Sequence, residues 1–540
     1  MVNVFSNPQY YIDEIKNVRI PEEVMEEKKA EHSGKTMLCS WITKLCPAKC
    51  SACFFKSNMY KEDKVKEKYE LSDVGVDNLI KFVNDSNNSY FMLSGGGEPM
   101  IRPDVINKII REVKTDRIVI VTSGIWANTR ENAEKYIKEL YESTKSRNDD
   151  CIVVLRLSID EFHFTSPTIN INNYKNIVDT FREKYTDSDK FILRIHTMQE
   201  DPTLENVVEE LGGKVVYHKQ NGVTDNNNVI KIVPKKATVE FDDGYSIYVG
   251  LSKLFLANIK ADLTEANKDI KKALEVFEKD MKVSEYGNPS IITNCNGLQG
   301  LDLWSDYNGN VTAWGCQQPD DLHSLYNNSY QDLVNNTYNN IGSYSFLDKG
   351  YYYRRNIIRD VNPRAVLRSE VINLRDYSGA FLIEENDTRL YYDIRVIQDY
   401  LKEKILSPED ICFLPNELLA MIYSDQALLD KCYENSGYDI ITQYIEKEEN
   451  YEKEDWDDLF TLINLGHYDV SDSSIKKALN FYNNKYDQNL DDIKNAIDSN
   501  DDAQLARLHN RISPMQNDAY NVLALDSCKQ QVLKKEYHSA

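Results

Sequence analysis

Residues 35–53 have the sequence KTMLCSWITKLCPAKCSAC, in which a short apolar strand runs into a loop with three cysteines. We place the strand at Lys35–Ile42, so that the thiols of Cys46, Cys50 and Cys53 follow it directly. Thiolates are soft ligands that select zinc or iron–sulfur clusters. The close spacing of these thiols therefore predicts a metal centre at the end of the first strand.

Strands and helices alternate along the chain after this loop. The strands are nearly continuous runs of Val, Ile and Leu, which is typical of parallel strands buried on both faces. Right-handed crossovers between them predict an α/β fold, a partial (β/α)6 barrel, with functional residues at the carboxyl ends of its strands. The strands that we predict after the first are Tyr90–Leu93, Arg117–Thr122, Cys151–Ser158, Lys190–His196 and Lys214–His218.

A glycine run follows the second predicted strand. Residues 94–99 read Ser-Gly-Gly-Gly-Glu-Pro, and we call Gly95, Gly96, Gly97 and Glu98 the glycine ledge. Glycine has no side chain, so its backbone can approach a ligand closely. The backbone carbonyls and the Glu98 carboxylate are suited to hold an ammonium group. In a parallel barrel the ledge lies at the same edge of the sheet as the cysteine loop.

The number of cysteines in the loop leaves two kinds of metal centre open. A structural zinc site and a common iron–sulfur cubane both take four protein ligands, whereas this loop offers three. A cubane with three cysteines leaves one iron free to bind an external chelator. The alternative is a zinc loop of three or four thiolates, with Cys39 as the fourth ligand. The neighbouring glycine ledge favours the cubane.

The two motifs together resemble those of the radical S-adenosylmethionine (radical SAM) superfamily over roughly residues 35–220. The resemblance implies that Cys46, Cys50 and Cys53 hold a [4Fe–4S] cluster, and that the glycine ledge holds the amino group of SAM. It further implies reductive cleavage of SAM to a 5′-deoxyadenosyl radical, which abstracts hydrogen from a substrate. The electron would come from a reductant such as flavodoxin or ferredoxin.

The resemblance also implies SAM contacts from other parts of the core. The family usually has an aromatic residue before the last cysteine, to pack on adenine, whereas this chain has Ala52. Phe54 is the candidate that replaces it, with Phe55 as the alternative. His196 on the fifth strand would reach SAM or the substrate. The remaining candidates for SAM binding are Ser123, Ser158, Asp160 and Arg194.

Composition limits the partners and the compartment. The 540 residues carry a net charge of −23, which repels the phosphate backbone of nucleic acids. Met1–Asn17 is polar, so we expect no export signal, and no apolar run reaches the ~18 residues of a membrane span. In such a chain the ten cysteines are expected to be reduced, metal-bound or buried. These observations predict a cytoplasmic protein that binds neither nucleic acid nor membrane.

The second half of the chain differs from the barrel. Residues 301–314 predict a hairpin around Asn308-Gly309, and this small α+β unit resembles a SPASM or twitch extension. Cys295 and Cys316 are the candidate ligands for an auxiliary cluster there, but the Cys-x2-Cys pair that should follow is missing. We therefore favour the hairpin without metal. The predicted divisions are an N-terminal extension at 1–34, the barrel at 35–225, the α+β unit at 226–390 and a mostly helical domain at 391–540.

Three functions are compatible with these features. The first is a radical SAM enzyme that modifies a peptide or protein side chain, with the large C-terminal extension binding the substrate. The second is radical chemistry on a small metabolite, with the C-terminal helices as a lid or dimer surface. The third is a non-catalytic zinc-binding module on the same scaffold, which the intact glycine ledge argues against.

Overall fold

The computed structural model has an α/β fold built around one large mixed sheet. Its eleven strands are β1 (Lys35–Ser40), β2 (Asn88–Leu93), β3 (Arg117–Thr122), β4 (Ile152–Ser158), β5 (Phe191–Met198), β6 (Gly213–Tyr217), β7 (Lys236–Phe241), β8 (Ser246–Ser252), β9 (Gln299–Ser305), β10 (Asn310–Ala313) and β11 (His323–Ser324). The structure describes residues 3–434 except 49, 51–56, 58, 60–68, 95, 165, 199–200, 219–223, 226–227, 230–235, 253–298, 314–322, 360, 363–381 and 384.

The centre of the sheet is parallel and both of its edges are antiparallel. The strand order is β11-β10-β9-β1-β2-β3-β4-β5-β8-β7-β6. Neighbouring strands from β9 through β1–β5 to β8 run parallel, whereas β10 and β11 at one edge and β7 and β6 at the other are antiparallel. The predicted parallel α/β core is thus confirmed. Its carboxyl ends carry the loops that hold the predicted functional residues.

Helices cover the sheet, and several begin where the sequence supplies a cap. Ser72 accepts a hydrogen bond from the Gly75 amide, Thr129 does the same for the Asn132 amide, and Pro103 occupies a first helical turn. The helices of the core are α1 (Pro8–Ile15), α2 (Glu22–Glu31), α3 (Asp73–Asp85), α4 (Pro103–Glu112), α5 (Arg130–Lys145), α6 (Glu161–Phe164), α7 (Ile171–Lys184) and α8 (Thr203–Glu210).

The sixth parallel position is filled by a different strand from the one predicted. We expected Lys214–His218 beside β5, but β6 lies at the sheet edge, antiparallel to β7, and β8 occupies the place beside β5. The physical reason is burial: the two valines of β6 are only half-buried, whereas Ile247 and Val249 of β8 are fully buried. A strand in the centre of a sheet needs fully buried apolar side chains, as β8 has.

The predicted hairpin around Asn308-Gly309 is confirmed. Strands β9 and β10 are antiparallel, and Gly309 has a φ of +83°, in the left-handed region that glycine tolerates. The Asp306 carboxylate accepts hydrogen bonds from the backbone amides of Asn308 and Asn310, both at 2.9 Å. Because β9 also pairs with β1, the hairpin extends the core sheet. Trp314 lies outside the described residues.

From Tyr330 onward the described part of the chain is helical, and it contacts the N-terminal segment. The Asn386 side chain donates to Gln9 at 3.0 Å, and the Asn3 side chain donates to the Cys432 carbonyl at 3.0 Å. Among the described residues, no helix is both long and apolar enough to span a bilayer. These helices are α9 (Tyr330–Asn339), α10 (Ile341–Arg359), α11 (Asn386–Lys402), α12 (Asn416–Ile422) and α13 (Gln426–Glu434).

Candidate active site

The cysteine loop starts at the carboxyl end of β1. Cys46 and Cys50 are half-buried and pack against the core, and the Ala48 amide donates a hydrogen bond to Cys46 Sγ at 3.5 Å. Amide donors to sulfur are a common way of stabilising thiolate ligands. The Ser166 hydroxyl donates to the Ala48 carbonyl, which fixes the loop to the segment after β4. Cys53, Phe54 and Gly95 lie outside the described residues.

The glycine ledge lies directly on the backbone that leads into the cysteine loop. A Cβ on Gly97 would lie 2.1 Å from the Leu45 carbonyl oxygen, and one on Gly96 would lie 2.8 Å from that of Thr43. Gly96 also has a φ of +87°, and the Glu98 amide donates to the Leu45 carbonyl at 2.9 Å. The glycines are required because the two backbones touch, one residue before Cys46. The structure therefore joins the two motifs into one site.

The Glu98 carboxylate connects the ledge to the end of β3. It accepts hydrogen bonds from the Ser123 amide at 2.9 Å, the Ser123 hydroxyl at 2.7 Å and the Thr122 hydroxyl at 2.7 Å. The Met100 amide donates to it at 3.1 Å, and the side chain is only 3% exposed. Burial raises the pKa of Glu98, while the hydrogen bonds from Ser123 and Thr122 oppose that shift. Glu98 thus fixes the position of the ledge relative to β3.

Sequence reasoning missed one residue that follows β3, Trp126. Thr122 accepts a hydrogen bond from the Trp126 indole N–H at 2.8 Å, while its own hydroxyl donates to Glu98. The indole is 9% exposed and lies in the short helix that follows Gly124. No motif in the sequence singled out Trp126, because its role depends on a contact between residues on different sides of a turn. Ser123, a predicted SAM contact, reaches the site through Glu98.

A carboxylate–imidazole pair lies beyond the end of β4. Both Asp160 oxygens lie 2.8 Å from His163 Nδ1, and the His163 amide also donates to Asp160 at 3.0 Å. Burial alone would raise the pKa of Asp160, but the His163 imidazole holds it below its usual value. Burial alone would lower the pKa of His163, and the Asp160 carboxylate raises it above its usual value. His163 was not predicted, although its spacing of three residues from Asp160 was a usable signal.

The other predicted residues of β4 and β5 lie on the same face of the sheet. Ser158 pairs in register with His196, and Arg194 lies two residues before His196. Burial and the nearby Arg156 guanidinium lower the pKa of His196 to about 4, so this imidazole is neutral near pH 7. The Arg194 guanidinium lies 5.1 Å from the centre of the Tyr248 ring. Arg194 thus lies in the middle of β5, beside Tyr248 of β8, and not at the strand end.

We expect the Asp160–His163 pair to stabilise the fold in a limited pH window. The Asp160 contribution is lost as pH falls through its lowered pKa, and the His163 contribution is lost as pH rises through its raised pKa. The stabilisation is therefore greatest between about pH 3.9 and 6.5, the ordinary values of the two groups. His163→Gln should lower the free energy of unfolding by about 1.5–3 kcal/mol in that window. Denaturant titrations at pH 5.5 and 9 measure this, and an equal loss at both values would contradict it.

Comparison with known proteins agrees with the site. Residues 32–152 match the family model described as a 4Fe-4S single cluster domain, which here runs from the end of α2 to the start of β4. The search of curated proteins found no match. Two solved structures are similar to the chain, the hexahistidine-tagged and native forms of anSMEcpe with bound AdoMet. They are 13% identical, with TM-scores of 0.33 and 0.32, over 72% and 68% of this chain and 97% and 98% of theirs.

The matched stretch contains both the cysteine loop and the glycine ledge, which the structure places in contact. This part of the chain is therefore similar to a domain that holds a single [4Fe–4S] cluster.

Proposed function

We propose that this chain is a radical SAM enzyme, with a [4Fe–4S] cluster and S-adenosylmethionine as cofactors, that acts on a side chain of a peptide or protein. The observation that carries the active-site assignment is the contact between Gly97 and Leu45, where the ledge meets the backbone of the cysteine loop. The preference for a large substrate is supported by the β9–β10 hairpin, which extends the core sheet, and by the C-terminal helices. A small metabolite remains the alternative substrate.

The proposed ligand set follows from the chemistry of the side chains. Cys46, Cys50 and Cys53 would hold the cluster, and the backbone carbonyls of Gly96 and Gly97 would accept hydrogen bonds from the amino group of SAM. Together the two cofactors would supply one-electron cleavage of SAM and hydrogen abstraction from the substrate. The Ala48 amide, which donates to Cys46, stabilises the thiolate form.

Glu98 acts in this site by holding the ledge in place. Because donors from Met100, Thr122 and Ser123 occupy its two oxygens, its main task is to fix the ledge relative to β3. The ledge carbonyls are then preorganised for an ammonium group, which lowers the cost of binding. Asp160 holds the His163 imidazole at the same edge of the sheet and raises its pKa.

Anaerobic reconstitution tests the enzyme class. With iron, sulfide and a reducing agent, the protein should turn brown, and with dithionite it should convert SAM to 5′-deoxyadenosine. Colourless protein that retains one zinc per chain would overturn the class and favour a binding module.

A second experiment tests the substrate type. Short peptides encoded beside this gene should accelerate 5′-deoxyadenosine formation and should change in mass. If only a small-molecule fraction of a cell extract accelerates the reaction, the substrate is a metabolite and the peptide proposal fails.

A further inference from the structure

Three arginines lie on one face of the central sheet. Arg156 of β4 pairs directly in register with Arg194 of β5, and Arg117 begins β3. Side chains alternate along a strand, so these arginines point away from the face that buries Ile118 and Leu155. They share their face with the strand-end residues Ser158 and His196. Arg194 contacts the Tyr248 ring instead, so we use the name arginine face for Arg117 and Arg156 alone.

A cavity of about 1040 Å³ opens at the amino ends of β1–β4, opposite the cysteine loop. Both members of the arginine face line it, and Tyr90 and Met92 form part of its wall. The Nε atoms of both arginines are buried, and no described residue forms a hydrogen bond with them. Within the described part of the chain, neither guanidinium makes an ion pair.

The acidic residues at the rim of the cavity do not neutralise these arginines. Asp116 pairs with Lys35 at 2.5 Å, Asp149 pairs with Arg147 at 2.5 Å, and Asp150 pairs with Lys190 at 2.9 Å. Each rim acid therefore has its own cation, and the interior of the cavity keeps an excess of positive charge. This excess is local, since the whole chain carries a net charge of −23.

An unpaired guanidinium beside an apolar sheet is costly, because its hydration is partly lost and no carboxylate replaces it. Such a group would be tolerated where a ligand supplies the missing charge. The planar guanidinium fork matches a carboxylate with two parallel hydrogen bonds. Tyr90 and Met92 add an apolar wall for the chain that carries the carboxylate. The chemistry of the cavity thus fits an acid joined to a partly apolar group.

We propose that the cavity binds a carboxylate of the substrate through Arg117 and Arg156. The proposal rests on the proposed function, because it makes this group part of the molecule that the radical attacks. Arg156 lies two residues before Ser158, about 7 Å along the strand, and Ile152–Ser158 spans about 20 Å. An extended acidic peptide held at Arg156 would therefore reach from the cavity towards the cysteine end of the barrel.

The test is a binding measurement on the full-length protein without cluster or SAM, so it does not depend on the radical reaction. The probes are acetyl-Gly-Glu-Gly-amide, its glutamine counterpart and free glutarate, titrated by calorimetry. The glutamate peptide should bind at least about tenfold more tightly than the glutamine peptide, because only the carboxylate pairs with the guanidinium. Arg156→Gln should remove that difference. If glutarate binds as tightly as the glutamate peptide, the cavity recognises small acids. If glutarate binds more weakly than the glutamate peptide, the cavity recognises a peptide.

Lys114→Gln is the matched control, because Lys114 is an exposed cation at the rim of the same cavity. It should change the affinity less than about threefold. Arg156→Gln should also melt at the same or a higher temperature than the parent, since it removes an unpaired buried charge. Equal binding of the two peptides, an equal loss in Lys114→Gln, or tighter binding of inorganic phosphate than of any carboxylate would overturn the proposal. Failure to make 5′-deoxyadenosine, by contrast, would count only against the proposed function.

Discussion

Replacing Cys46, Cys50 and Cys53 together by alanine is expected to remove the cluster and with it all SAM cleavage. Cys39 is then the one cysteine left near the end of β1, and a single thiolate cannot hold a cluster, so iron should fall from about four atoms per chain to less than one. Formation of 5′-deoxyadenosine should drop to the level of a reaction without protein. Iron analysis, visible absorbance and product quantification on anaerobically reconstituted protein measure these changes.

Cysteines elsewhere in the chain provide the controls for this experiment. Cys412 is exposed, and burial raises the pKa of Cys151 to about 11, so that its thiol stays protonated. Cys412→Ala and Cys151→Ala should keep both iron and SAM cleavage, as should Cys39→Ala, which removes the fourth ligand of the zinc alternative. Full SAM cleavage in the triple variant would place the catalytic cluster elsewhere. Iron near four atoms without cleavage would instead indicate an auxiliary cluster, for which Cys295 and Cys316 are the candidate ligands outside the described residues.

The sequence was sufficient for the parts of the fold that depend on local pattern. Apolar runs gave β1–β5, and the placement of both motifs at neighbouring strand ends followed from their parallel order. The strand that we predicted beside β5 was wrong, because distant segments of the chain compete for that position in the sheet. β6 and β8 both look like strands, but only β8 offers two fully buried side chains to a central position.

The site was predictable in its residue types but not in its contacts. The three thiols and the ledge were evident as motifs, whereas the Glu98 hydrogen bonds to Thr122 and Ser123 join residues that are 24 and 25 positions apart. The same limit applies to the arginine face, whose members come from different strands. Such groups become neighbours only through the register of the sheet, which a single sequence does not state.

Gly97→Ala is expected to abolish most of the activity while leaving the sheet intact. The new methyl carbon would lie 2.1 Å from the Leu45 carbonyl oxygen, so one of the two backbones must move by about an ångström or more. Movement of the ledge displaces the carbonyls that hold SAM, and movement of Leu45 displaces Cys46. A misplacement of about 1 Å can cost about a hundredfold in rate, which is the reduction we expect in 5′-deoxyadenosine formation.

Gly212→Ala separates this effect from a general cost of losing a glycine. Gly212 has a φ of +71°, and no atom of the described residues lies within 4 Å of the position that a methyl group would take, so the substitution adds backbone strain of about 1–2 kcal/mol without a clash among them. It should therefore lower stability and leave SAM cleavage close to that of the parent. Gly97→Ala should show the opposite balance, with a large loss of cleavage at an iron content that remains measurable. If Gly97→Ala cleaves SAM as fast as the parent, the ledge does not lie against the cysteine loop in the working enzyme, because a side chain at this position cannot coexist with the contact to Leu45.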